Sequence, residues 1–307
     1  MVTPSQGDAG EGARPASAGR APAAEPAGSS GAPAGAGPGS AAGEPLLRLV
    51  GVGKHFGPVE ALTGVNLEVP AGQVTALVGD NGAGKTTLIK CIAGIWPQST
   101  GQLYWNGQPV QIHSPKDAAR LGIAAVYQDL ALCDNLDIVE NMMLGREKMR
   151  GGLLDEIRME QTARQTLADL AVTTVRSVRQ PVGSLSGGQR QSVAVAKAVM
   201  QEARLVIMDE PTAALGVSQT ELVLSLITRL AQRGHAVIVI SHNLNDVFRV
   251  ADRFAVLYLG RLVAVGPAAE FDRQSVVDLM TTGMTSRQVN GDSSSTAVAG
   301  SASGGEG

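Results

Sequence analysis

Gly79-Asp80-Asn81-Gly82-Ala83-Gly84-Lys85-Thr86-Thr87 is a nine-residue stretch with three glycines and a lysine before two threonines. It fits the spacing G-x-x-x-x-G-K-[ST] of a loop that binds phosphate. The glycines let successive backbone N–H groups turn inward around an anion. Thr86 and Thr87 open a helix, so its positive end faces the same anion. Lys85 would reach the β- and γ-phosphates of a nucleotide, and the Thr86 hydroxyl would bind Mg²⁺. The context agrees. Val74–Val78 is a short apolar run rich in β-branched residues, and Leu88–Ile92 continues a helix. Strand, loop and helix follow in the order the motif requires.

The chain has 307 residues and a net charge of −3. Residues 1–45 are mostly Ala, Gly, Pro and Ser and hold no Leu, Ile, Phe, Trp or Tyr. Such a segment cannot bury enough apolar surface to offset its ordering entropy, so it is expected to be disordered. Residues 285–307 have a similar composition and the same expectation. Between the tails, 46–284 is long enough for one well-cored α/β unit. The N-terminus lacks the apolar centre of a signal peptide, and no apolar run is long enough to span a bilayer. With no basic block, a nucleic-acid surface is not expected. Cys91 and Cys133 lack metal-ligand spacing; Cys91 reads as a small buried hydrophobe in a reduced setting.

Leu46–Val52 and Val65–Val69 read as short strands, with Lys54–Gly57 a loop between them. Phe56 in that loop is either a core residue or a platform for an adenine ring. Leu103–Val110 is a hairpin around Asn106-Gly107. Ser114 caps a helix that has Pro115 at its first position and Asp117 near its positive end, and Gly122 closes it. Ile123–Tyr127 is a strand ending at Gln128. From about 129 to 200 helical patterns dominate (Ile138–Leu144, Ile157–Leu170, Arg190–Met200), as expected of a helical insert, with Gly151-Gly152 separating the first two. Val237–Ile240 is a strand, preceded by a helix that Ser218-x-x-Glu221 should open as a capping box. Phe254–Leu259 and Leu262–Val265 form a hairpin about Gly260-Arg261, and a last helix covers Ser275–Thr281.

Two further stretches carry chemistry. Leu205–Met208 is an apolar strand, suited to burial on both faces of a parallel sheet, and it ends in Asp209-Glu210. Such a strand delivers its last side chains to the sheet edge where ligands of α/β folds bind. Asp209 would hold Mg²⁺ and Glu210 would polarise a water; alone, the pair reads equally as an exposed acidic turn. Leu185-Ser186-Gly187-Gly188-Gln189 precedes a helix beginning near Gln189-Arg190, a second place where backbone N–H groups and a hydroxyl can receive an anion.

In this combination the chain resembles the ATP-binding subunits of ABC transporters. The matching parts, in the family's order, are Gly79–Thr86 (Walker A), Gln128 (Q-loop), Leu185–Gln189 (signature), Leu205–Glu210 (Walker B) and His242 (switch histidine), and the resemblance covers 46–284. It implies a P-loop NTPase core with an antiparallel β subdomain and an inserted helical subdomain. It implies ATP and Mg²⁺ as cofactors, with Thr86, Gln128 and Asp209 around the metal. Phe56 would stack on adenine, while Gly79, Asp80, Asn81, Gly82, Ala83, Gly84, Lys85, Thr86 and Thr87 would hold the phosphates. Glu210 would be the general base, and His242 would contact the γ-phosphate after the strand Val237–Ile240. Ser186, Gly187, Gly188 and Gln189 would close on the ATP of a second subunit. With one set of motifs, the chain is expected to act as a homodimer or with a second ATPase chain.

Ala213-Ala214-Leu215-Gly216 departs from the family's usual Ser-Ala-Leu-Asp, which puts the cross-dimer contact of that loop in question. The stretches Glu210–Val217, Gly79–Gly82 and Val126–Leu132 resemble the branch that imports ribose, xylose and fructose, in its single-cassette type. The resemblance implies a membrane permease and, through it, a substrate-binding protein as partners. It implies a peripheral location at the cytoplasmic face of the membrane. The motifs alone would equally serve another transported substrate. A clamp on DNA would need long coiled coils between Walker A and the signature, and no sustained heptads occur there.

Overall fold

The computed structural model describes residues 44–284. The expectations for the two tails fall, residues 44 and 45 apart, outside the described residues. The chain begins with an antiparallel hairpin of β1 (Leu47–Phe56) and β2 (Val59–Val69), so Lys54–Phe56 belong to a strand and not to the expected loop. The pairing register shifts three times between Leu49 and His55, and Gly51 and Gly64 take left-handed φ values of 58° and 61°. Bulges of this kind break the period-two pattern, which is why the strands read shorter in the sequence.

β3 (Val74–Val78) runs into the P-loop and α1 (Lys85–Ile92). β4 (Thr100–Trp105) and β5 (Gln108–Val110) form the expected hairpin, with Asn106 and Gly107 at φ 46° and 72°. α2 (Pro115–Leu121) is capped by Ser114 and closed by left-handed Gly122, as the sequence predicts. β6 (Ile123–Val126) follows, then α3 (Ile138–Met143). Gly151-Gly152, read as a separator, is the turn of a small ribbon made by β7 (Met149–Arg150) and β8 (Leu153–Leu154). α4 (Glu156–Asp169) and α5 (Gly187–Met200) complete the helical segment.

The remaining elements are β9 (Leu205–Asp209), α6 (Val217–Gln232), β10 (Ala236–Ile240), α7 (Leu244–Val250), β11 (Arg253–Tyr258), β12 (Arg261–Pro267) and α8 (Arg273–Thr282). They alternate as far as β11, which pairs with β12 before the last helix. The turn between β11 and β12 uses Leu259 and Gly260, both left-handed, one residue earlier than expected. The Ser218/Glu221 capping box does not form. Gly216 is the cap, so Ser218 already lies inside α6, and the Glu221 carboxylate takes Arg249 at 2.6 Å on both oxygens.

Besides the β7-β8 ribbon, the described residues form two sheets, in the orders β2-β1-β4-β5 and β12-β11-β3-β10-β9-β6. In the second, β11, β3, β10, β9 and β6 run parallel and β12 is antiparallel. All five residues of β3 and of β10 are buried, as unbroken apolar runs in a parallel sheet should be. The antiparallel sheet packs its Leu47, Leu49, Leu62 and Leu67 with α1 against one face of the parallel sheet. The helices α3–α6 pack against the other. A fully buried Leu or Ile contributes roughly 1.5–3 kcal/mol, so these two apolar layers hold β3, β9 and β10 in place and fix where their C-terminal ends emerge. Cys91 lies in the first layer as expected, and burial pushes its thiol up to about 11.

Candidate active site

The C-terminal ends of β3, β9 and β10 stand side by side. Register pairs Ile240 with both Leu77 and Asp209, so the P-loop, the acidic pair and Ser241-His242 leave the sheet at one edge. Val126 at the end of β6 pairs with Met208, and Gln128, two residues on, emerges at the same edge.

Gly84 caps α1 at φ 103°, where a Cβ would come within 2.8 Å of the Ala61 carbonyl oxygen. A Cβ at Gly79 would collide with the Leu257 carbonyl. Only glycine lets the loop pass this close to the neighbouring backbone. No side chain caps α1, so its first N–H groups stay directed at the loop. Lys85 Nζ donates to the carbonyls of Gly79 (2.7 Å) and Asp80 (2.9 Å). Burial lowers its pKa, against the raising influence of Glu210, Asp80 and Asp209. Beside it lies a cavity of about 420 Å³ lined by Asn81, Gly82, Gly84, Lys85, Thr86 and Thr87 together with Glu60 and Gly260.

Asp209 is half-buried, and its carboxyl is pushed above the ordinary value first by burial and then by Glu210. Glu210 sits at φ 50°, a left-handed conformation few non-glycine residues adopt. Its N–H donates to the Ile240 carbonyl (2.8 Å), and its Oε2 lies 2.9 Å from His242 Nδ1. The His242 side chain is 73% exposed and that of Glu210 18%.

The signature lies elsewhere. Ser186 caps α5 and forms a complete capping box with Gln189, whose amide also donates to the Thr174 carbonyl at 2.6 Å. The helix begins at Gly187, two residues before the expected start. Cβ atoms on Gly187 and Gly188 would press on Leu215 (2.6 Å) and Gln219 (3.0 Å), so α5 packs tightly on the start of α6. None of Ser186–Gln189 lines the P-loop cavity. Nor does Phe56, which is 41% exposed, meets Trp96 edge-on at 4.9 Å between centroids and has Lys54 Nζ 5.0 Å over its ring.

Several residues of this edge escaped the sequence reading. Thr212 and Asn243 both donate to one oxygen of Asp246, at 2.8 and 2.9 Å. The signal for Asp246 was present as an Asn cap followed three residues later by an acid. Nothing in the sequence links it to Thr212, and nothing links Trp96 to Phe56. Among the described residues no three His, Cys, Asp or Glu side chains group as a metal site, and no helix is long and apolar enough to cross a membrane.

A family profile described as ABC transporter matches residues 62–213. A fructose import ATP-binding protein from Rhizobium meliloti is 42% identical over 247 residues, 78% of this chain and 95% of that protein. A xylose/arabinose import ATP-binding protein from Sulfolobus acidocaldarius is 42% identical over 236 residues, covering 77% and 94%. A ribose import ATP-binding protein from Rubrobacter xylanophilus is 43% identical over 238 residues, 77% of this chain and only 46% of its own length. This chain thus spans nearly all of the first two and about half of the third. Among solved structures, an ATP-binding cassette of an ABC transporter superposes with a TM-score of 0.69 at 26% identity, covering 78% of this chain and 98% of that one. A dimeric cassette bound to ADP and Pi gives 0.60 at 25%, covering 72% and 98%.

Proposed function

The chain belongs to the ABC transporter family, and from that membership we propose that it is the ATP-hydrolysing subunit of a monosaccharide importer. The observation that carries the ATPase reading is the convergence of Lys85, Asp209, Glu210 and His242 on one sheet edge, with Glu210 and His242 2.9 Å apart. The sugar is supported by the relatives, which are named for the import of fructose, xylose or arabinose, and ribose.

In this reading the backbone N–H groups of Gly79–Lys85 receive the phosphates, and Lys85 exchanges its carbonyl partners for the β- and γ-phosphate oxygens. Phe56, exposed but outside the lining of the P-loop cavity, would supply the adenine platform. Glu210 orients a water and takes its proton as the water oxygen bonds to the γ-phosphorus and the bond to ADP breaks. His242, close to Glu210 and free to turn outward, contacts the γ-phosphate. The hydroxyl of Thr86, the amide oxygen of Gln128 and the carboxylate of Asp209 are hard oxygen donors that suit Mg²⁺. A cation there would relieve the crowding that burial and Glu210 impose on Asp209. When bound, Mg²⁺ would supply positive charge that offsets the negative charge of the phosphates.

The signature residues, absent from the P-loop cavity, would close on the ATP of a second copy or of a second ATPase chain. The domain unit is 46–284, with the helical part at about 129–200. Between that helical part and the core lies a groove of about 350 Å³ lined by Ile95, Tyr127, Leu130, Ala131 and Lys197. Beside Gln128, it is where a permease would dock, with the substrate-binding protein reached only through the permease. Deleting the gene and measuring uptake over a panel of monosaccharides tests the transport role. Loss of one sugar's uptake is expected, and unchanged uptake of all of them would sink it.

A further inference from the structure

Behind Glu210 and His242 lies a link that neither motif contains. The loop after Glu210 carries Thr212, and the loop after His242 carries Asn243. Both reach the same oxygen of Asp246: Thr212 Oγ1 at 2.8 Å and Asn243 Nδ2 at 2.9 Å. The Asp246 side chain is buried, and these two donors replace the water that its carboxylate loses. Asn243 is fixed twice more, its N–H to Ser241 Oγ (3.0 Å) and its side-chain oxygen to the N–H of Asn245 (3.1 Å). The Asn243 contacts are local and would serve any helix start. The Thr212 contact is not local, since it joins positions 34 residues apart on two different strand ends.

Both reacting-edge residues need such support. The His242 ring is mostly in solvent, so its place depends on its backbone and its contact with Glu210. Glu210 holds a left-handed φ of 50°, which persists only where neighbours over-determine it. Its N–H bond to Ile240 and the Ala213 N–H bond to its carbonyl (3.1 Å) supply part of that. The Thr212–Asp246 bond, two residues further on, anchors the rest.

We infer that Asp246 is a positioning residue for ATP hydrolysis, its buried carboxylate tying the Glu210 loop to the His242 loop in one register. The inference rests on the reading of Glu210 and His242 given above. The same oxygen serves both donors, so an amide oxygen in its place should preserve the link while alanine should not.

The test compares ATPase kinetics and melting temperature of the full chain and of the variants Asp246→Ala, Asp246→Asn, Thr212→Val and the double variant Asp246→Ala/Thr212→Val. Asp246→Ala should lower kcat by about 10–100-fold, the range for residues that orient a reacting group, with KM for ATP within about twofold. Asp246→Asn should retain kcat within about threefold. Thr212→Val should fall between, and the double variant should be no slower than Asp246→Ala, since both changes cut one link. A wild-type kcat in Asp246→Ala, equal damage in Asp246→Asn, or additive losses in the double variant would overturn the inference. If Asp246→Ala does not fold, Thr212→Val decides, and a wild-type kcat there overturns it. Glu210→Gln measured alongside separates the two levels. If Glu210→Gln is as active as wild type, the reading of the base fails. If it is inactive while Asp246→Ala is fully active, only the role of Asp246 fails.

Discussion

The P-loop and the signature are both glycine-rich helix starts, yet the chain treats their backbone donors differently. At α1 the cap is Gly84, no side chain turns back on the N–H groups, and Lys85 leans over the loop's own carbonyls. At α5 the cap is Ser186, and its capping box with Gln189 satisfies two N–H groups, those of Ser186 and Gln189. The Ser186 oxygen accepts from Gln189 N–H, which leaves the hydroxyl hydrogen to donate. The first cradle is built to be completed by a ligand. The second is partly satisfied by its own side chains and can present one hydroxyl and the remaining N–H groups of one helix end to a neighbour. A free-standing anion site would be expected at the first and not at the second, which fits a division of labour between two subunits.

Four substitutions test that contrast. Glu210→Gln should slow hydrolysis by about 10²–10⁴-fold, the usual worth of a positioned base, while ATP still binds and gathers two chains. Light scattering that finds only ATP-loaded single chains would break the shared-site picture. Lys85→Ala should weaken ATP affinity by about 10–100-fold, because a charge-assisted contact is lost. Titration with a fluorescent nucleotide reads this, and unchanged affinity would remove Lys85 from the first cradle. Ser186→Ala should cost about 1 kcal/mol in denaturant melts through loss of the cap. It should slow turnover yet leave nucleotide affinity of the dilute chain unchanged. A drop in that affinity would put the second cradle in the same subunit's site. Gly216 has an ordinary φ of −72° and open space around its missing Cβ. Gly216→Asp should therefore fold normally and gain a few tenths of a kcal/mol as a better cap of α6. A melting curve shifted downward would show that the glycine is required.

The motifs were legible because each is a local device. A strand end, a few residues of loop and a helix start suffice to write the P-loop, the signature and the acidic pair. Parallel strands such as β3 and β10 announce themselves as unbroken apolar runs. What stayed hidden depends on distance or on broken period. The β1–β2 hairpin lost its alternation to bulges around Gly51. The Ser218/Glu221 pattern suggested a cap that the fold overrode, since Arg249 on another helix captured the glutamate. Trp96 beside Phe56 and Thr212 beside Asp246 meet only once the sheet is assembled, and no spacing rule could have paired them.

The left-handed turn at Glu210 sets stability and activity against each other at a single position. A side chain in that conformation is held at a cost of roughly 1–2 kcal/mol, which glycine would not incur. Glu210→Gly should therefore be at least as resistant to unfolding as the wild type, while its hydrolysis collapses. β-Branched residues there would lose on both counts. Selection for a sturdier protein would drift away from the carboxylate, and only selection for turnover keeps it.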